Sequence, residues 1–119
     1  MPKVLVVEDE ALIRLWVEDA LRDAGYEVET AANADEAILI LEADRSITLV
    51  FTDIDMPGSM DGLKLAAAVR DRWPPVHIVV ASGKSHPVAS MLPTHSVFLP
   101  KPYIAAEVLA AFNQVALQR

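Results

Sequence analysis

Cysteine is absent from this sequence, which removes disulfides, thiolate nucleophiles and cysteine-based zinc sites. Cations are scarce as well. Ten lysines and arginines face seventeen acidic residues, for a net charge of −7, and no basic cluster occurs. A phosphate backbone is bound through clustered cations, so nucleic-acid binding by this chain is not expected. No apolar run approaches the roughly 20 residues that a bilayer-spanning helix needs, so no membrane segment is expected. Met1-Pro2-Lys3 runs straight into an apolar stretch with no signal-peptide pattern, and a cytoplasmic location is the expectation. None of the three histidines, His77, His86 and His95, has a partner at metal-site spacing; all read as surface or loop residues. Linkers, repeats and low-complexity stretches are also missing, so residues 1–119 read as a single domain with no effector domain.

What is present is a globular composition, with 53% hydrophobic and 23% charged residues. Lys3-Val4-Leu5-Val6-Val7 is a Val-rich run stopped by Glu8-Asp9-Glu10. A continuous apolar run of this kind is the pattern of a strand buried on both faces. Leu12, Leu15, Trp16, Ala20, Leu21 and Ala24 then recur at helical spacing, and Gly25 stands where a helix ends. Polarity alternates over 26–31, which predicts a half-exposed strand. Asn33 suits an N-cap, with Ala34, Ala37, Ile38 and Leu41 on the face of the following helix.

A third strand spans 47–52 and ends at Asp53. Asp61-Gly62 opens a third helix whose apolar face is Leu63, Ala66, Ala67 and Val69, ended by Pro74-Pro75. Residues 76–81 form a fourth strand ending at Ser82-Gly83, and 97–99 a short fifth strand before Pro100-Lys101-Pro102. Ile104, Val108, Leu109, Phe112, Val115 and Ala116 give the face of a last helix, and Trp16 and Trp73 read as helix-packing residues. Strands alternating with helices predict parallel pairing through right-handed crossovers, an α/β sandwich. Between the last two strands, 84–96 carries Pro87 and Pro93, which leaves room for a short or irregular fourth helix or an ordered loop.

The chemistry lies at the strand ends. The first strand ends in Glu8-Asp9, the third in Asp53-Ile54-Asp55, the fourth in Ser82 and the fifth in Lys101. In an open parallel sheet, ligands bind outside the carboxyl ends of the strands, where these side chains converge. Packed carboxylates repel and need a cation, and oxygen ligands select Mg²⁺, which keeps waters and accepts phosphate oxygens. A lysine and a serine opposite suit a phosphoryl group. No histidine, cysteine or base activates Ser82, so a carboxylate is the expected phosphoryl acceptor.

These residues, in this order, resemble the receiver domain of two-component response regulators, from Lys3 onward. The resemblance implies a flavodoxin-like, doubly wound, five-stranded parallel sheet in the order 2-1-3-4-5. It implies phosphorylation of Asp53, a Mg²⁺ held by Asp9 directly, by Glu8 mostly through water and by the Asp55 backbone carbonyl, and phosphoryl contacts from Ser82 and Lys101. It implies a cis Lys101-Pro102 bond and makes Ser82 and Phe98 switch residues, although a core phenylalanine is the better reading of Phe98 alone. The implied partners are a sensor histidine kinase or a histidine phosphotransfer protein, in a signalling role rather than an enzymatic one. The oligomeric state is open.

Three features depart from the common pattern. The turn Met56-Pro57-Gly58-Ser59-Met60-Asp61-Gly62 is one residue longer, Glu8 replaces an aspartate, and the interval from Ser82 to Lys101 is short. Val80-Ala81-Ser82-Gly83 and Phe98-Leu99-Pro100-Lys101-Pro102-Tyr103 are similar to single-domain regulators that partner HWE-type histidine kinases. The enzyme alternative is a haloacid-dehalogenase-like phosphatase using Asp53 and Asp55, but that family places its motif on the first strand and a second acidic pair far downstream.

Overall fold

The computed structural model describes residues 2–56, 60–83 and 92–116. The elements run β1 (Lys3–Val7), α1 (Ala11–Asp23), β2 (Glu27–Ala31), α2 (Ala34–Ala43), β3 (Ile47–Asp53), α3 (Gly62–Arg72), β4 (His77–Ser82), β5 (Ser96–Pro100) and α4 (Ala105–Ala116). The five strands form one parallel sheet in the order β2-β1-β3-β4-β5, the flavodoxin-like arrangement that was expected. The predicted irregular fourth helix falls on 84–96, of which 84–91 lie outside the described residues.

Strand pleating divides the core in two. Val4, Val6, Leu49, Phe51, Val79, Ala81, Val97 and Leu99 face one side, where Val17 and Leu21 of α1 and Val108, Phe112 and Val115 of α4 cover them. Leu5, Val7, Val50, Ile78 and Val80 face the other side, under Ala34, Ala37 and Leu41 of α2 and Leu65, Ala66 and Val69 of α3. Both faces of the central strands are largely covered, which is why β1 and β4 read as nearly unbroken apolar runs, while β3 carries Thr48 and Thr52 among its apolar residues. Asn33 caps α2 as predicted, its side chain accepting from the Glu36 amide at 2.9 Å.

Three helix faces differ from expectation; on the last, Ile104 lies just before α4 and is 62% exposed. On α1 the buried residues are Val17 and Leu21, with Ile13 packed against the same cluster, whereas Leu12, Leu15 and Trp16 are 83%, 53% and 42% exposed. Neighbouring residues on a helix are turned by about 100°. The sheet therefore takes the 13-17-21 stripe and leaves the other apolar stripe outside. On α3, Leu65 is buried and Ala67 is exposed, the reverse of the predicted pattern for that pair. Among the described residues no helix is long and apolar enough to cross a membrane.

The far end of the sheet, at the strand N-termini, is tied by Arg70. Its guanidinium donates to the carbonyls of Thr94, Pro74, Val76 and His95. His77 and His95 were expected on the surface or in loops. His95 does lie in the turn before β5, whereas His77 opens β4; both are half-buried and stack on each other with ring centroids 5.5 Å apart. His86 lies outside the described residues.

Candidate functional site at the carboxyl edge of the sheet

Strand register assembles the site. Val7 pairs with Thr52, which sets Glu8 beside Asp53; Asp53 pairs with Ala81, and Ser82 with Pro100, which sets Lys101 next in line. The Lys101 amide extends the ladder by donating to the Ser82 carbonyl at 3.0 Å. The Lys101–Pro102 peptide is cis, as expected.

Asp53 is 3% exposed. Its Oδ2 lies 3.2 Å from Lys101 Nζ, and its Oδ1 accepts from the Asp55 amide at 3.3 Å. Glu8 is fully buried; one carboxylate oxygen accepts from the Glu10 amide at 3.1 Å and the other lies 3.4 Å from Lys101 Nζ. Glu8, Asp9 and Asp53 each bring a carboxylate oxygen to within 4.8 Å of the others. Among the described residues, the Lys101 ammonium meets two of these three acids, Asp53 and Glu8.

That imbalance shows in the titration of the groups. Burial pushes the Glu8 carboxyl up to about 7, helped by its hydrogen bond with Asp9 and the charge of Asp53, against the Glu10 amide and Lys101. Burial also raises Asp53, against the attraction of Lys101. Burial disfavours the Lys101 charge, but Glu8 and Asp53 outweigh it and hold that ammonium above its ordinary value. Burial thus makes Glu8 and Asp53 reluctant to ionise, and a hard divalent cation would offset the charge of their ionised forms. The three carboxylates fit such an ion by donor type and spacing.

The remaining predicted residues take different places. Ser82 is fully buried at the site, and its hydroxyl donates to Asp55 Oδ2 at 2.5 Å. The Asp55 carboxylate is therefore engaged with the serine; it is not part of the three-acid cluster, and the role expected of Asp55 concerned only its backbone carbonyl. Phe98 pairs with Val80 in the ladder and is half-buried against the α2–α3 side of the core. The lengthened turn includes 57–59, which lie outside the described residues.

Three contributors escaped the sequence reading. Gly62, at the first turn of α3, is buried, and its amide donates to the Ile54 carbonyl at 3.0 Å. A Cβ there would fall 2.0 Å from the Asp53 carbonyl oxygen, so only glycine lets the helix back against the acceptor strand. Arg14 reaches from α1 to the Glu8 carbonyl at 2.8 Å, fixing the acidic turn. Tyr103 packs against Phe51 and Trp16, each with centroids 5.8 Å away, and its hydroxyl is buried. Burial, then the charges of Glu8, Asp53 and Glu10, raises that phenol above its usual range. Tyr103, Trp16, Ile13, Gly83, Lys101 and Pro102 line an apolar cavity of about 540 Å³ beside the acids. Helical spacing flagged Trp16, and Tyr103 and Gly62 stand in quoted motifs, but nothing local flagged the Arg14 contact, the burial of the Tyr103 hydroxyl or the close approach at Gly62.

Known proteins resemble this chain in sequence and fold. Response regulator FleR of Pseudomonas aeruginosa is 36% identical over 118 residues, covering 97% of this chain and 24% of FleR. The chain spans about a quarter or less of the length of the curated relatives it matches. Among solved structures, chemotaxis protein CheY4 of Vibrio cholerae superposes with a TM-score of 0.84 at 32% identity, covering 97% of this chain and 98% of that one. TrrA of Thermotoga maritima, in complex with Mg²⁺ and BeF, gives a TM-score of 0.84 at 29% identity, over 97% and 99% of the two chains. The phosphatase alternative gains no support from these matches. The response regulator receiver domain matches residues 4–113, and the chain belongs to that family.

Proposed function

We propose that this receiver domain accepts a phosphoryl group on Asp53 in a Mg²⁺-dependent reaction and thereby switches protein contacts or passes the group onward. The observation that carries the reading is the buried Asp53 carboxylate, clustered with Glu8 and Asp9 and contacted by the Lys101 ammonium. Glu8, Asp9 and Asp53 would hold the ion, with the Asp55 carbonyl; its charge would offset repulsion between acids and an incoming phosphate. The chain's own residues supply the rest. Asp53 Oδ bonds to phosphorus while the bond to the donor's imidazole nitrogen breaks, and that nitrogen keeps the electron pair. Lys101, already 3.2 Å from Asp53, is placed to meet the phosphoryl oxygens, with Ser82 across the edge. TrrA, similar over nearly its whole length, is described with Mg²⁺ and BeF bound, which supports the same ion here.

The donor is a sensor histidine kinase or a histidine phosphotransfer protein. The exposed apolar residues Leu12, Leu15, Trp16 and Ile104 lie on the elements that rim the site and suit a protein partner. The domain works in the cytoplasm, without binding nucleic acid. Intact-mass measurement after incubation with acetyl phosphate tests the reading. Wild type gains one phosphoryl group only with Mg²⁺, and Asp53→Asn gains none; equal labelling of the two proteins would refute the assignment.

A further inference from the structure

We infer that the Asp55 carboxylate is a positioning residue that holds the Ser82 hydroxyl away from the phosphoryl position in the resting protein and so sets the threshold for activation. The inference rests on the phosphoryl-acceptor reading and adds a regulatory contact to that site. Ser82 ends β4 and is fully buried, so it has no solvent to hydrogen-bond. Its hydroxyl has one proton to donate, and that proton goes to Asp55 Oδ2 at 2.5 Å. A hydroxyl bonded to a carboxylate is held more firmly than one bonded to a neutral acceptor.

Geometry makes this latch part of the acceptor segment. Asp55 lies two residues beyond Asp53, and its amide donates to Asp53 Oδ1 at 3.3 Å. Its side chain reaches in the opposite sense, across to β4. By strand alternation Asp53 continues the face of Leu49 and Phe51, while Ser82 continues that of Ile78 and Val80. The serine thus starts on the face opposite to the acceptor, with Asp55 bridging the difference. A phosphoryl group on Asp53 presents anionic oxygens that compete for the same proton. Ser82 can satisfy them only by leaving Asp55, so one charge-assisted bond is exchanged for another and the net gain is small. Removing the Asp55 acceptor removes that cost. The substitution leaves the backbone carbonyl, the group expected at the metal, in place.

The test is a double-mutant cycle on BeF₃⁻ affinity at saturating Mg²⁺, with wild type, Asp55→Ala, Ser82→Ala and the double variant. Asp55→Ala should bind BeF₃⁻ roughly tenfold more tightly than wild type, the scale of one hydrogen bond to a charged group. Asp55→Asn, which keeps a weaker acceptor, should fall between the two. In the Ser82→Ala background the same substitution should change affinity little. A gain that persists without Ser82 would mean that Asp55 acts only through its charge, and would overturn the latch. A second readout needs no metal: the Ser82 rotamer population, read from Hα–Hβ couplings, should differ between wild type and Asp55→Ala. The same rotamer population in both proteins would also overturn it. Failure of wild type to bind BeF₃⁻ at all would refute the acceptor reading itself, a different outcome.

Discussion

Replacing Gly62 by alanine adds one methyl group, and the structure says where it must go. The new Cβ would lie 2.0 Å from the Asp53 carbonyl oxygen, 2.6 Å from the Asp53 carbonyl carbon and 2.7 Å from Ile54 Cα. A relaxed carbon–oxygen contact is about 3.3 Å or more, so the two backbones must separate by roughly 1 Å. All three atoms are main chain, and no flexible side chain can swing aside to absorb the overlap. The Gly62 amide bond to the Ile54 carbonyl would stretch at the same time. Overpacking of this kind costs about 1–3 kcal/mol, occasionally more, and an unyielding backbone places Gly62→Ala at the upper end. Against a total stability of about 5–15 kcal/mol, a loss near 3 kcal/mol is large, and it corresponds to a fall in Tm of about 10 °C. The displaced segment carries the acceptor, so labelling by acetyl phosphate should slow even at temperatures where the variant is folded. Thermal unfolding by circular dichroism and time-resolved intact mass measure the two effects. A variant within about 0.5 kcal/mol of wild type, labelling at the wild-type rate, would refute the close approach of α3 to Asp53.

Further outcomes follow from the charges at the site. Lys101→Ala should fold and still bind Mg²⁺, because it removes a cation that competes with the ion, yet respond poorly to BeF₃⁻; isothermal titration with each ligand checks this, and a variant that fails to fold would make the lysine structural. Glu8 holds its proton to about pH 7 when folded, against an ordinary 4.5, so the folded state binds more protons than the unfolded one between these values. Stability from this group therefore falls as pH rises through that window, and Mg²⁺, which favours the ionised form, should reverse the slope. His77, lowered mainly by burial, pulls the other way below its ordinary 6.5, so urea midpoints should be compared between wild type and Glu8→Gln. Identical pH profiles for the two would refute the buried, proton-holding Glu8.

Much of the site was legible because the physics is local. Strands buried on both faces are mostly apolar, so the first polar residue after the run marks the sheet edge at Glu8, Ser82 and Lys101, while Asp53 comes one residue after the buried Thr52. The sheet order came through the resemblance rather than from any spacing. What failed was decided by contacts distant in sequence. Leu12 and Trp16 have helical periodicity as good as that of Val17 and Leu21, and only the position of the sheet selects between the two stripes. His77 and His95 are eighteen positions apart and meet because β4 and β5 are neighbours. Asp61-Gly62 read correctly as a helix start, with Asp61 accepting from the Lys64 amide at 2.9 Å. Its second purpose, letting a helix touch the acceptor backbone, depends on Asp53 and has no signature of its own.

The placement of the two tryptophans gives the protein a built-in optical pair. Trp16 is half-exposed against Tyr103, on the wall of the cavity it shares with Lys101, so its indole senses the wet edge where charge would change. Trp73 sits at the other end of the sheet, where α3 ends, with the Arg72 guanidinium 4.5 Å above its ring. Emission from the first should follow ligand capture, while the second, remote from the acids, serves as an internal reference. Converting Trp73 to phenylalanine would leave a single-channel reporter in which the wavelength of one residue reads out the state of the acceptor edge, with no dye attached.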